Sequence, residues 1–379
     1  MIRSERLVHT FGSLVALDAE SYHERAIADF VLDRLRSLGL DAREDDAKER
    51  ILSRNRVVSK DAAGNLFAVL PATEPGDPVL FAGHLDTVAP GVGKKLVRHS
   101  NGVLTSDGTT VLGADDAAAV AEILEVLTVL QEEKIPHPRI EVLIASAEEP
   151  YARGSAQFDF SQVTAKNAYV LDLSGPVGGA ALAAPTILSF NLNVRGVCAH
   201  AGFAPEEGVN ALSIATQALS RLQTGHVDPQ TTVNFGTVTG GTARNIVPGD
   251  VFLQGEIRSM DNRRAEEELA RIRSVFEDAA EQFGGTISLT SDSAFPAYRI
   301  SEDSSTVRRY RAAGEKTGIP VSFQDTYGGS DCNHINEHGI EGIVIACGMN
   351  RCHTTEEWTS IDEMTRAAEL VLALASSDL

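Results

Sequence analysis

The chain has 379 residues, more than one hydrophobic core sustains, so two domains are expected. Its 53 acidic and 33 basic residues leave a formal charge of −20, which repels polyanions and argues against a nucleic-acid partner; the surplus otherwise serves solubility. Hydrophobic residues make up 43 %, and no segment approaches the roughly 18 apolar residues of a membrane span, so no membrane partner is expected either.

The N-terminus, "MIRSERLVHTFGSLVAL", is charged and broken by Gly12 and Ser13, which is not the pattern of a secretory signal. Cys198, Cys332, Cys347 and Cys352 form no CxxC pair; four sparse cysteines suit reduced thiols in a cytoplasmic protein. "HERAIADFVLDRLRSLG" sets Ile27, Phe30, Val31, Leu35 and Leu38 on one helical face and stops at Gly39. "NLFAVL", "PVLFAGHLDTV", "RIEVLIASAEE" and "KNAYVLDLSG" are apolar runs without alternation, which predicts strands covered on both faces. Between the second and third, Val120, Ile123, Leu124, Leu127 and Leu130 recur at helical spacing.

Near "GGAALAAP" the texture changes. "ILSFNLNVRG" and "DVFLQGEIRSM" alternate with period two, and "GVNALSIATQALSRLQ" and "NRRAEEELARIRSVFEDAAEQF" read as helices. This predicts a small antiparallel sheet with helices on one face. After about residue 295 the first texture returns with "GIPVSFQDT", "GIEGIVIACG" and a last helix from "TTEEW" onward. The expected fold is an α/β domain with a mostly parallel sheet, residues 1–185 and 296–379, interrupted by an α+β lid domain at 186–295.

Ligands of α/β sheets bind outside the carboxyl ends of the strands. His84 and Asp86, the pair Asp115 and Asp116 before a helix, Glu148 and Glu149, Asp172, and His353 all fall at such ends. Each has an ordinary reading on its own: Asp116 as a helix N-terminal charge, His84 as a hydrogen-bonded core histidine, Asp172 as turn chemistry. That reading has to hold independently at five strand ends that the topology brings to one rim. Two histidines and several carboxylates are groups that zinc accepts. Their number exceeds one tetrahedral site and suits two ions about 3.5–4 Å apart under a shared carboxylate.

"GHLDTV", "GADD", "SAEEP", "LDLSG", "CAHAG", "GEIRSMD", "GGSDCN" and "CHTTEEW" follow in order across nearly the whole chain. Together they resemble the co-catalytic di-zinc exopeptidase and aminoacylase family, with "SDGTTVLGADD" most similar to its peptidase T-like branch. The resemblance implies two zinc ions, with cobalt or manganese as substitutes: one held by His84 and Asp172, the other by His353 and Glu149, with Asp115 bridging. It also implies a cis peptide after the bridging aspartate. Asp86 would fix the ring of His84 through a carboxylate–imidazole hydrogen bond, and Glu148 would be the general base. Adjacent residues at a strand end diverge, so one glutamate can reach a metal while its neighbour faces the attacking water. Many relatives read "ADDKAG" where this chain has Ala117, so a local salt bridge or pocket edge is expected to change.

In the insert, the resemblance makes His200, Asn245 and Arg258 substrate contacts, and the domain itself a lid that also forms a homodimer. Arg258 would pair with a peptide carboxylate and His200 would stabilise an oxyanion; without the resemblance they read as polar surface residues. The expected function is zinc-dependent hydrolysis of short peptides, most like a tripeptide aminopeptidase. An N-acyl amino acid amidohydrolase uses the same metals and base. A non-catalytic metal- or peptide-binding protein would have no need of Glu148.

Overall fold

The structure is a computed structural model and describes residues 1–377. It divides into two compact units, one of residues 1–183, 299–326 and 330–379, the other of 184–298 with 327–329.

The first unit is built on a sheet whose strands run in the spatial order Asp41–Glu44, Leu66–Leu70, Ile140–Ala145, Val79–His84, Asn167–Leu173, Glu341–Ala346, Gly179–Ala184. Val79–His84 pairs in parallel with both neighbours, and Glu341–Ala346 runs parallel to Asn167–Leu173. The flanking pairs are antiparallel. Leu66–Leu70, Val79–His84 and Ile140–Ala145 are buried at every position, which is why their sequences do not alternate.

The helix Ala114–Glu132 is buried on all sides from its start through Leu130, beyond the single apolar face its spacing predicts. Two of its acids are enclosed with it. Glu125 is paired with Arg6 at 2.6 Å, whereas neither carboxylate oxygen of Glu122 has a hydrogen-bond partner among the described residues. The start of this helix closes tightly on the sheet at Gly83, where a Cβ would lie 2.5 Å from Asp116 Oδ2. Glycine is what permits that approach.

In the second unit an antiparallel sheet runs in the order Gly225–Asp228, Thr231–Gly240, Asp250–Ser259, Thr186–Arg195, Thr286–Phe295. Ala211–Leu219 and Asn262–Phe283 pack against it through Ile214, Ile272 and Phe276, over Phe190, Leu192 and Val194. Burial alternates along Asp250–Ser259, as the period-two sequence predicts.

One expected element differs. "TTEEW" is not the start of the last helix, which spans Ile361–Ala375 and begins at the Ser360 cap. Asn350 and Trp358 exchange two backbone hydrogen bonds of 2.9 and 3.0 Å and close 351–357 into a loop. Their pairing takes the backbone groups a helix would need.

Candidate metal centre

The central parallel strands end on one rim and carry the candidate residues there. His84 is the last residue of its strand and 1 % exposed. Asp115 opens the helix that follows Gly113, and its peptide bond to Asp116 is cis. Asp172 lies in Asn167–Leu173, Glu148 and Glu149 follow Ile140–Ala145, and His353 comes from the loop after Glu341–Ala346.

The two oxygens of Asp115 face different histidines: Oδ1 is 3.0 Å from His84 Nε2, and Oδ2 is 3.1 Å from His353 Nε2. Glu149 Oε2 lies 2.9 Å from the same His353 nitrogen, and Asp172 Oδ1 lies 3.9 Å from His84 Nε2. Donor atoms of His84, Asp115 and Glu149 fall within 4.8 Å of one another, as do those of His84, Glu148 and Asp172. His84 is enclosed, but the His353 side chain is 55 % exposed, so the rim opens to solvent on that side.

Crowding carboxyl groups around two imidazoles shifts several of their ionisations. Burial raises Glu148, with Asp172 adding to it, and burial likewise raises Asp172, Asp116 and, more mildly, Glu149. Burial also pushes Asp115 up, but His353 and His84 outweigh it and hold that carboxyl well below its usual range. Asp115 and Glu149 raise His353 to about 10. Glu149 Oε1 and Asp116 Oδ1 are buried without a hydrogen-bond partner. The donor set of imidazole nitrogen and carboxylate oxygen, with an oxygen left orphaned, fits divalent metal.

Asp86 differs from expectation in the atom it uses. His84 Nδ1 bonds the Asp86 backbone carbonyl at 2.9 Å, while the Asp86 carboxylate stands 3.6 Å away. That carboxylate accepts instead from Ser21 Oγ and from the amides of Glu148 and Glu149, at 2.7, 2.8 and 3.2 Å. Asp86 therefore orients both the histidine and the glutamate pair. Glu357 is a support that the sequence motifs do not single out. Buried, it accepts the amides of Gly113 at 2.7 Å and Asp115 at 3.0 Å, and so holds the backbone of the central aspartate. The second acid of "EEW", beside a candidate ligand histidine, is the signal that could have found it. Ala117 is 7 % exposed at the foot of the same helix.

Residues 182–284 match the peptidase dimerisation domain, and residues 65–182 match peptidase family M28. The crystal structure of aminopeptidase PepT from Bacillus cereus is 38 % identical, with 99 % of this chain and 98 % of that one covered and a TM-score of 0.90. The chain belongs to the peptidase T-like branch of these peptidases. A Staphylococcus aureus tripeptidase structure is similar at 34 % identity over 99 % and 98 % of the two chains, TM-score 0.92. The Bacillus subtilis protein YqjE is 37 % identical over 374 residues, 99 % of this chain and 98 % of that protein. This peptidase T-like chain is a hydrolase acting on peptides, with the central sheet and separate dimerisation domain of its family.

The insert residues of this peptidase T-like chain are each bonded within their own unit. His200 Nδ1 accepts the amides of Gly202 and Phe203 at 3.2 Å, and its ring stacks on Phe203 at 4.3 Å. Asn245 is exposed, and its carbonyl accepts from Ala201 at 3.0 Å. Arg258 donates from Nε and Nη2 to Glu256 at 2.8 and 3.3 Å, and from Nη1 to the Tyr327 carbonyl at 2.7 Å. Among the described residues no helix is long and apolar enough to cross a membrane.

Proposed function

We propose that this chain is a two-zinc aminopeptidase of short peptides, with tripeptides as its best substrates. The observation that supports it most is the double use of Asp115, one oxygen toward each histidine. In this reading Asp115, His84 and Asp172 would hold one ion, and Asp115, Glu149 and His353 the other. Zinc held there supplies a Lewis acid and lowers the pKa of a water to about 7.

The rest is the work of the chain's own side chains. Glu148, buried beside the proposed ligands, is suited to take the proton of the attacking water and return it to the leaving amine. Asp86 steadies that base by accepting its backbone amide. Because His200 Nδ1 already accepts two amides, the neutral ring carries its proton on Nε2, leaving a donor for a developing oxyanion. Arg258 retains one N–H on each of Nη1 and Nη2 beyond its bonds to Glu256 and Tyr327, enough for the two oxygens of a peptide carboxylate. Asn245 completes the substrate contacts. A homodimer through the matched dimerisation domain and a cytoplasmic location, in keeping with sparse cysteines that form no CxxC pair, complete the proposal.

An amidohydrolase of N-acyl amino acids would use the same base and ligands. A panel of di- and tripeptides beside N-acyl amino acids, assayed with zinc, cobalt and manganese, separates the two. Turnover of tripeptides with a free amino group well above that of every N-acyl compound is expected; the opposite ranking overturns the proposal.

A further inference from the structure

We propose that Asn65 is a positioning residue for Glu148, clamping both ends of the loop that carries it. This rests on the reading of Glu148 as base and Glu149 as ligand. The loop from Ser146 to Gly154 holds a strained backbone: Ala147, Tyr151 and Ala152 have φ of 48°, 75° and 44°, in the left-handed region that non-glycine residues avoid. Such a backbone persists only where its surroundings over-determine it.

The Asn65 side chain provides that constraint. It is fully buried at the entry to strand Leu66–Leu70. Its Oδ1 accepts the amide of Ser146 at 3.2 Å, and its Nδ2 donates to the Gly154 carbonyl at 3.0 Å. One carboxamide thus joins the first and last residues of the loop. The second Nδ2 hydrogen goes to Asp45 Oδ2 at 2.7 Å, and the Asn65 amide goes to Asp45 Oδ1 at 2.9 Å. Every hydrogen-bonding group of the side chain is therefore used, and its amide cannot rotate without breaking three bonds.

The fit leaves no slack. A Cβ on Gly154 would fall on the Ser146 carbonyl and on Asn65 Oδ1. Inside the loop, the amide of Arg153 donates to Ala147 at 2.8 Å and that of Ala152 to Glu148 at 2.5 Å. The glutamate amides hang from Asp86 at the loop's midpoint while Asn65 holds its roots. An amide side chain suits this position, since no carboxylate, hydroxyl or aliphatic side chain of that size both accepts from Ser146 and donates twice.

The test is a double-mutant cycle on the metal-saturated enzyme, with folded fraction and metal content measured for each protein. Glu148→Ala alone is expected to lose most of its turnover. Asn65→Ala alone is expected to lower kcat about ten- to a hundredfold with KM for a tripeptide unchanged, the scale of a small misplacement of a catalytic group. In the Glu148→Ala background, Asn65→Ala is expected to lower kcat less than about twofold, because the base it positions is already gone. Equal factors in both backgrounds, or no loss from Asn65→Ala alone, overturn the clamp and leave the role of Glu148 standing. Full turnover by Glu148→Ala overturns that role, and the clamp falls with it. Should Asn65→Ala not fold, Asp45→Asn, which sets an amide against Nδ2 of Asn65 at constant volume, is carried through the same cycle. A loss confined to the background that retains Glu148 then supports the clamp, and equal factors or no loss overturn it.

Discussion

Polar groups are treated in opposite ways at the two places where this chain gathers them. On the rim of the parallel sheet, His84, Asp86, Asp115, Asp116 and Glu148 are all buried, and Glu149 keeps one oxygen without a partner. On the inserted unit, Asn245 is exposed, while His200 and Arg258 are half-buried and already bonded to neighbours of their own unit. Burying several like charges together opposes folding, so a chain that retains the arrangement does so for what it binds. The insert's polar groups carry no such cost.

The sharpest way to break this contrast is to remove what the rim is proposed to hold. Chelation is expected to abolish peptidase activity, and His84→Ala and His353→Ala are each expected to lose a different ion, as elemental analysis would show. Full metal content in both variants would refute the ligand assignment.

Next in size is the division of labour between the paired acids. Glu148→Ala is expected to keep its metal yet turn over roughly 10²–10⁴-fold more slowly, the usual worth of a general base. Glu149→Ala is expected to lose metal first. The reverse pattern would exchange the two roles.

On the insert, the expected effect is smaller and depends on the substrate. Arg258→Lys is expected to weaken kcat/KM about ten- to a hundredfold on peptides with a free C-terminal carboxylate, since a charged hydrogen bond is worth about 1.5–3 kcal/mol. C-terminally amidated peptides, which lack that pair, are expected to change far less. Equal losses on both would make Arg258 a residue that holds Glu256 and Tyr327 and reads no carboxylate.

The smallest effect is one of stability. Burial, with Asp86 adding to it, pushes Glu24 up from 4.5 to about 8. A carboxyl raised on folding favours the folded state fully below its unfolded pKa, and that contribution is lost as pH rises through the folded value. Metal-free protein is therefore expected to melt a few degrees lower at pH 9 than at pH 5, with Glu24→Gln removing part of the slope. A slope unchanged in Glu24→Gln would assign the effect to other buried acids.

The rim is legible in the sequence because each candidate sits where a short apolar run ends, and because carboxylates in such places demand a reason. The supports are not. Glu357 reaches Gly113 and Asp115 across most of the chain, and nothing near it in sequence says which amides it meets. Asp86 attracts notice for its carboxylate, whereas its backbone carbonyl orients His84, a choice that follows from the turn and not from the residue type. The helix at Ala114 reads as amphipathic because Glu122 and Glu125 mark a polar stripe in sequence; packing on every side encloses that stripe. "TTEEW" reads as helix because its loop is closed by backbone bonds, to which side-chain patterns are blind.

The order of the strands bears on how this enzyme comes off the ribosome. Glu341–Ala346 lies between Asn167–Leu173 and Gly179–Ala184, with the whole inserted unit separating them in the chain, and His353 follows only after it. The insert's own sheet is complete in sequence long before the strand that fills the central gap has been synthesised, so the insert can fold while the larger sheet waits open. A chain stopped before residue 353 would lack one of the two histidines proposed as ligands.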